Sequence, residues 1–125
     1  VLAPCALGSA INDDTVPRIK AKVVAGAANN QLHEPRHGDD LNARGILYAP
    51  DYAINAGGLI NVAQEVAGYD ANIARERTLK IYDTIHEIAE RSMQSLTPTY
   101  RVADLLVEEK LARAGGPPSR LGTQK

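Results

Sequence analysis

The sequence is poor in aromatic and sulfur-containing residues, with no Trp, no Phe, five Tyr, one Met and one Cys among 125 residues. A hydrophobic core therefore has to be built from Ala, Val, Ile and Leu. The single cysteine excludes an intrachain disulfide, and this favours a reducing, cytoplasmic location. No apolar run approaches the roughly 20 residues that span a bilayer, so a membrane is not expected as a partner.

Neither sign of charge is in excess, because 14 basic residues nearly balance 15 acidic ones. This balance gives no indication of a nucleic-acid partner, and the length suits a single domain. The chain starts at Val1 rather than at Met, and "VLAPCALG" reads as though it begins inside a strand. We therefore expect the chain to be the C-terminal part of a longer protein.

Three short, largely apolar runs predict β-strands over residues 1–3, 22–25 and 46–49, the first of them buried. Pro4 and Pro50 end the first and third runs. Strands of this kind, alternating with helical segments, indicate a parallel sheet covered on both faces. The predicted fold class is α/β, with the second half of a doubly wound parallel sheet followed by long C-terminal helices.

Helical periodicity dominates the second half of the chain. One helix is expected to end at Gly68, a long one to start at the N-cap Asp70, and a last one to run from Thr97-Pro98 to about Ala114. Residues 1–114 form the predicted domain, and 115–125 have the composition of a disordered tail. The residues predicted to face inward are Tyr82, Ile85, Ala89, Met93 and Leu96 on the long helix, and Val102, Ala103, Leu106 and Val107 on the last one.

The string "HEPRH", from His33 to His37, formally matches the H-E-x-x-H zinc signature. That motif needs a helix to place both histidines on one face. Pro35 lies between the two histidines, removes a backbone hydrogen bond and disfavours helical geometry at Glu34. We therefore predict two loop histidines near solvent and no metal site.

Cys5 follows Pro4 at the end of a predicted strand. A nucleophilic cysteine needs a neighbouring base and a lowered pKa, and the sequence indicates neither. A small buried thiol is therefore the favoured interpretation.

The stretch "VVAGAANNQL", residues 23–32, narrows to Ala and Gly and then presents Asn29 and Asn30. At the carboxyl end of a parallel strand, adjacent amides suit a ligand site, because such sites lie beyond the strand ends. Asparagine is equally typical of a tight turn, so the pattern leaves both open. "NAGG", residues 55–58, is either an anion-binding helix start or a close packing point. No G-x-G-x-x-G loop is present in the chain.

Four strings fall in one characteristic order: "APCALG" (3–8), "AKVVAGAANNQL" (21–32), "RHGDDLNARGILYAPDYAINAGGLINVA" (36–63) and "YDTI" (82–85). Over about residues 1–112, the chain resembles the C-terminal half of the NAD-binding domain of the leucine dehydrogenase group. That group belongs to the Glu/Leu/Phe/Val amino-acid dehydrogenases. The resemblance implies a Rossmann-like sheet, of which this chain holds the second half.

The resemblance also implies roles for particular residues. The backbone around Cys5 and Ala6 would lie along the nicotinamide-side ribose of NAD, and Asn29 would bind the cofactor near the nicotinamide. Asn30 would contact the amino-acid head group of the substrate. The substrate side chain would lie against Leu59 and Val62; leucine dehydrogenases usually carry a smaller valine at the position of Leu59.

The activity implied by the resemblance is reversible, NAD-dependent oxidative deamination of an apolar L-amino acid to a 2-oxo acid and ammonia, in a homo-oligomer. In the family, the phosphate loop, the residue that reads the adenosine ribose, two lysines and an aspartate lie upstream. None has a counterpart in this chain, so no catalytic residue is assigned to it. NAD and NADP are not separated, and neither are leucine, valine and phenylalanine.

Two other classes stay open beside this one. A non-enzymatic α/β module for binding or assembly would also fit the composition, and a zinc peptidase is the third alternative. The sequence upstream of Val1 would distinguish the non-enzymatic module from the dehydrogenase, since only the dehydrogenase requires a lysine-bearing domain there.

Overall fold

The computed structural model describes residues 1–66 and 68–115. A 3-10 helix, Val16–Arg18, precedes strand β1, Val23–Val24, which is followed by helix α1, Arg36–Ala43, and strand β2, Leu47–Tyr48. The remaining elements are helical: α2, Asp51–Ile54; α3, Gly57–Val66; α4, Ala71–Ser95; and α5, Thr99–Arg113.

The two strands pair in parallel, with Val23 opposite Leu47 and Val24 opposite Tyr48. Leu2 adds a parallel bridge to Val24 on the other side of β1. The predicted parallel order of three segments is therefore confirmed, although the first is a single bridge rather than a strand. The doubly wound, Rossmann-like detail stays a prediction, because the described sheet has only two short strands.

The first segment is not buried, contrary to expectation, since Val1 is 86% exposed and Leu2 is 39% exposed. Leu2 contacts the sheet only through β1, to which its N–H donates at Val23 O and its carbonyl accepts from Ala25 N, both at 2.9 Å. The outer side of Leu2 has no neighbouring strand in the described part of the chain.

Helix ends follow the local signals in the sequence. Gly45 has a φ of +67° just after α1, and Gly68 has a φ of +88° after α3, both in the region that favours glycine. Asp70 caps α4, because its Oδ1 accepts from Asn72 N at 2.8 Å and from Ile73 N at 3.2 Å. The predicted boundaries at Gly68 and Asp70 are confirmed.

The core has two clusters. The first surrounds the sheet, where α1 packs against β2, and it consists of Ile11, Val16, Ile19, Val24, Leu41, Ile46 and Tyr48. The second lies where α4 packs against α5, and it consists of Ile88, Val102, Ala103 and Leu106. Helix α4 also packs against α2 and α3, so it joins the sheet region to the C-terminal helices.

The inward face of α4 differs from the predicted stripe. Tyr82, Met93 and Leu96 are 73%, 65% and 82% exposed, whereas Ile88 is 2% exposed. On α5, Val102, Ala103 and Leu106 are buried as predicted, but Val107 is 46% exposed and the prediction for it is wrong. A 3.6-residue period permits several adjacent stripes, and the neighbouring helices select among them.

Two further outcomes concern the membrane and the tail. Over residues 1–66 and 68–115, no helix combines the length and apolar character that crossing a bilayer requires. The predicted tail, 115–125, falls almost wholly outside the described residues, and the domain boundary at 114 stays a prediction.

Candidate functional site

The residues that precede the asparagine pair are small because another chain segment lies directly against them. Ala28 N donates to Pro4 O at 2.9 Å, so residues 2–5 run alongside 23–28. A Cβ built on Gly26 would overlap the backbone of Pro4. The taper of the sequence thus brings Pro4 to Gly8 next to the carboxyl end of β1.

Gln31, the residue after the asparagine pair, is fully buried and holds the loop together. Its Nε2 donates to Gly26 O at 2.7 Å and to Ala28 O at 2.9 Å. Because both partners are carbonyls, the amide nitrogen has to face them, and Oε1 is left buried without a partner among the described residues. The side chain fixes the backbone that leads into Asn29.

Asp51 fixes the same loop from the other strand. Its buried carboxylate accepts from Gln31 N at 3.0 Å through Oδ2 and from Tyr52 N at 2.9 Å through Oδ1. Tyr48 OH accepts from Asp51 N at 3.2 Å. Burial and then the charge of Asp51 raise the pKa of Tyr48, so its hydroxyl stays protonated. The ends of β1 and β2 are thereby tied together.

Asn29 and Asn30 are both exposed at this edge. Asn30 has a φ of +51°, a left-handed conformation that asparagine tolerates, and its carbonyl accepts from Ser9 N at 2.7 Å. Asn55 Nδ2 donates to Asn29 Oδ1 at 2.5 Å. The pair therefore forms a turn, but a turn that is held by two other segments, at Ser9 and Asn55, and opens to solvent.

Cys5 and Ala6 lie beside this turn and are exposed. The predicted burial of Cys5 is wrong, because the segment crosses the strand end instead of entering the core. Cys5 Sγ accepts from Ala27 N at 3.5 Å, which places the thiol next to the small residues of the loop. Cys5, Ala6 and Asn29, the residues expected to face a cofactor, thus border one solvent-open surface.

Leu59 and Val62 lie on α3 and are 75% and 55% exposed. Their three-residue spacing puts them on one face of the helix. Asn55, two residues before α3, joins the start of this helix to Asn29. A Cβ on Gly57 would make ordinary contact with Thr78 at 3.5 Å, and one on Gly58 would meet nothing within 4 Å. Packing therefore does not require either glycine of "NAGG".

The prediction for the two histidines of "HEPRH" is correct for His33 and wrong for His37. His33 is exposed, but His37 is fully buried in α1. Its Nδ1 accepts from Glu34 N at 3.0 Å, and its Nε2 faces Asp13 Oδ1 at 3.3 Å. Pro35 stands at the N-cap, where it starts the helix instead of breaking it. In the described ranges, no three His, Cys, Asp or Glu residues are grouped as a metal site.

A separate cleft of about 340 Å³ opens at the amino-terminal end of β2, between α1 and the junction of α4 with α5. Met93 and Leu96 lie at its edge. Its described lining contains no carboxylate, histidine, lysine or arginine. The polar groups that converge do so at the opposite, carboxyl end of the strands.

The sequence profile of the family described as Glutamate/Leucine/Phenylalanine/Valine dehydrogenase matches residues 1–114. The chain belongs to this dehydrogenase family. Leucine dehydrogenase of Bacillus cereus is 55% identical over 112 residues, which are 90% of this chain and 31% of the relative. Valine dehydrogenase of Streptomyces coelicolor is 52% identical over 114 residues, 91% of this chain and 31% of the relative. The resemblance stated from the sequence strings is confirmed.

A solved structure gives the same result for the fold of this dehydrogenase-family chain. The crystal structure of L-tryptophan dehydrogenase from Nostoc punctiforme matches with a TM-score of 0.85 and 46% identity, covering 89% of this chain and 34% of that one. The chain thus spans about a third of the length of the relatives that it matches.

Three residues that shape the site were not singled out from the sequence: Gln31, Asp51 and the side chain of Asn55. Each acts through a partner 20 or more residues away or through a backbone carbonyl. The sequence indicates Asn55 only as the start of "NAGG". For Gln31 the sequence offers one signal, which is that a polar residue directly follows the asparagine pair.

Proposed function

We propose that this chain forms the nicotinamide-side wall of an NAD-dependent L-amino-acid dehydrogenase that reversibly deaminates apolar amino acids to 2-oxo acids and ammonia. One observation carries the proposal. Two adjacent amides, Asn29 and Asn30, are held by hydrogen bonds and exposed at the carboxyl edge of parallel strands, where ligands of α/β proteins bind. The names of the relatives, leucine, valine and tryptophan dehydrogenase, agree with an apolar substrate.

The surface around Cys5, Ala6 and Asn29 fits a flat nicotinamide ring and its ribose. The loop beneath is made of Gly26, Ala27 and Ala28, so no bulky side chain rises from it. NAD, when bound, supplies the hydride acceptor. The chain would contribute orientation: backbone along the ribose at Cys5 and Ala6, and the Asn29 amide beside the ring.

The substrate would lie between Asn30 and α3. An exposed amide both donates and accepts, which suits an amino-acid head group. Leu59 and Val62 offer an apolar face at helical spacing for the substrate side chain. These contacts place the substrate carbon near the cofactor, and positioning of this kind requires reacting atoms about 3–3.5 Å apart.

The catalytic groups would come from a segment of a longer protein that covers this wall. The residues that the family resemblance assigns to proton transfer and to carboxylate binding have no counterpart here, and the chain spans 31% of the Bacillus cereus relative. We propose that residues 1–114 are the C-terminal part of the NAD-binding domain, in a cytoplasmic homo-oligomer. The isolated chain should then produce no NADH from L-leucine.

A chimera tests the proposal directly. Residues 1–112 replace the matching segment of the Bacillus cereus leucine dehydrogenase, and NADH formation from L-leucine, L-valine and L-phenylalanine is followed by absorbance. We expect an active chimera and an inactive isolated chain. Asn30→Ala should reduce kcat/KM in the chimera by about a hundredfold, as for loss of a substrate-orienting group.

Asn72→Ala is the matched control, because Asn72 is an exposed asparagine on α4 that makes no side-chain hydrogen bond to the site. It should leave kcat/KM within twofold of the parent chimera. A folded but inactive chimera, turnover by the isolated chain, or equal effects of the two substitutions would contradict the proposal.

A further inference from the structure

The backbone on either side of Asn29 has little freedom. Gln31 Nε2 donates to Gly26 O and Ala28 O, and Gln31 N donates to the Asp51 carboxylate. Asn30 O accepts from Ser9 N. These bonds fix the position of the Asn29 Cα, so the remaining freedom is the rotation of its side-chain amide.

That rotation is set by Asn55. The Asn55 side chain is half-buried at the end of α2, and its Nδ2 donates to Asn29 Oδ1. With its oxygen occupied, the Asn29 amide turns its nitrogen away from Asn55. No hydrogen bond within the described residues uses Asn29 Nδ2 as a donor.

We propose that Asn55 is a positioning residue that holds Asn29 as a hydrogen-bond donor toward the nicotinamide half of the cofactor. The inference rests on the proposed function. It adds which end of the Asn29 amide faces the cofactor, namely the nitrogen. The Asn29 nitrogen then meets an acceptor, which the nicotinamide half provides as its carboxamide or ribose oxygen. An amide without this partner would present either its oxygen or its nitrogen to the ligand.

A single isosteric change inverts the arrangement. In Asn55→Asp, the carboxylate has no proton to donate, so Asn29 has to rotate and donate its Nδ2 to the new carboxylate. Its oxygen would then face the ligand. Asn55→Ala removes the partner and leaves the Asn29 amide unrestrained.

The first experiment needs no ligand. Side-chain amide protons of Asn29 and Asn55 are assigned by NMR in the 125-residue chain, and their solvent exchange is measured. We expect slow exchange for Asn55 and fast exchange for Asn29 in the parent, and slow exchange for Asn29 in Asn55→Asp. In Asn55→Ala, Asn29 should exchange fast. Slow exchange of Asn29 in the parent, or no change in Asn55→Asp, would overturn the inference.

The second experiment measures binding of reduced nicotinamide mononucleotide by fluorescence titration. Loss of the hydrogen bond donated by Asn29 Nδ2 should weaken binding about tenfold in Asn55→Asp and less in Asn55→Ala, where the free amide can still turn its nitrogen to the ligand. Asn61→Asp is the matched control, since it adds the same charge on α3 and keeps an acceptor for the Tyr69 hydroxyl. It should bind within twofold of the parent.

The two experiments separate the inference from the proposed function. Equal weakening by Asn55→Asp and Asn61→Asp would show a general charge effect and would refute the positioning role. If the parent chain binds no reduced nicotinamide mononucleotide, the cofactor assignment is wrong, and amide exchange alone decides whether Asn55 orients Asn29.

Discussion

At the scale of single residues, Gly26 decides how closely two segments approach. It lies under the backbone of Pro4, where a Cβ has no room. The neighbouring bond from Ala28 N to Pro4 O depends on the same approach. The small residues of "VVAGAANNQL" therefore serve packing between chain segments.

Gly26→Ala should destabilise the chain by about 1–3 kcal/mol, because overpacking displaces backbone atoms that cannot yield cheaply. The urea midpoint of unfolding measures the effect. Gly58→Ala is the control, since a Cβ there meets nothing within 4 Å and alanine favours the helix. If both variants unfold at the same urea concentration, the close approach at Pro4 is not a packing constraint.

A second feature at the scale of single residues is the ion pair between Arg36, the first residue of α1, and Asp13. Hydrogen bonds from Arg36, at 2.7 Å, and then from His37 lower the pKa of the Asp13 carboxyl to about 2. A lowered folded pKa means that Asp13 contributes stability above its unfolded pKa of about 3.9. That contribution disappears as the pH falls from about 4 toward 2.

Arg36→Gln should therefore raise the pKa of the Asp13 carboxyl from about 2 toward about 3.9. Carbon-13 NMR of the carboxyl group across pH 2–6 measures the shift. Arg75→Gln removes the same charge from α4, which has no hydrogen bond to Asp13, and should leave the titration unchanged. An unchanged titration in Arg36→Gln would mean that the ion pair does not form in solution.

At the scale of elements, α4 shows how a helix chooses its buried face. The predicted stripe runs through Tyr82, Ile85, Ala89, Met93 and Leu96, of which Ile85 packs against the cluster between α4 and α5. A second, adjacent stripe runs through Ile88 and Ser92. The second is buried, with Ile88 at 2% and Ser92 at 5% exposure. Ser92 Oγ donates to Thr97 O at 2.6 Å, so the polar residue is satisfied inside.

Ile88→Ala should cost about 2–5 kcal/mol of unfolding free energy, because it leaves a cavity between α4 and α5. Leu79→Ala on the same helix should cost less than about 0.5 kcal/mol, since Leu79 is 63% exposed. Urea denaturation gives both values. A larger cost for Leu79→Ala than for Ile88→Ala would contradict the observed packing.

At the scale of the whole molecule, the helices are unequally anchored. Helix α5 contacts α1, β2 and α4 and buries Thr99, Val102, Ala103 and Leu106. Helix α3 packs on α4 and buries only Gln64, while Leu59 and Val66 are 75% and 91% exposed. Helix α3, which forms the proposed substrate wall, is therefore the least buried of the longer helices.

Backbone amides of residues 60–66 should exchange with solvent at least tenfold faster than those of 102–106, because opening α3 exposes little additional apolar surface. Hydrogen exchange followed by NMR measures both sets in one sample. Similar protection in the two segments would show that α3 unfolds only together with the core. The two segments of one molecule serve as each other's control.

The sequence predicted features that depend on local chemistry. The helix boundaries at Asp70 and Gly68 were correct because each is settled within one turn of chain. The burial of Cys5 and the exposure of His37 were predicted wrongly, because both depend on which distant segment lies alongside. The position of Asn29 and Asn30 at a strand end indicated a candidate site, but it did not indicate which residues hold the pair in place.

By itself, the sequence determined the family, the parallel order of the strand segments and the asparagine pair that follows β1. These follow from residue identity and spacing, which need no knowledge of the rest of the molecule. Only the tertiary structure decided which face of α4 is buried, and that Gln31, Asp51 and Asn55 fix the pair. The reason is that hydrogen bonds and packing between residues 20 or more positions apart depend on which segments become neighbours in the fold. Local periodicity does not specify those neighbours.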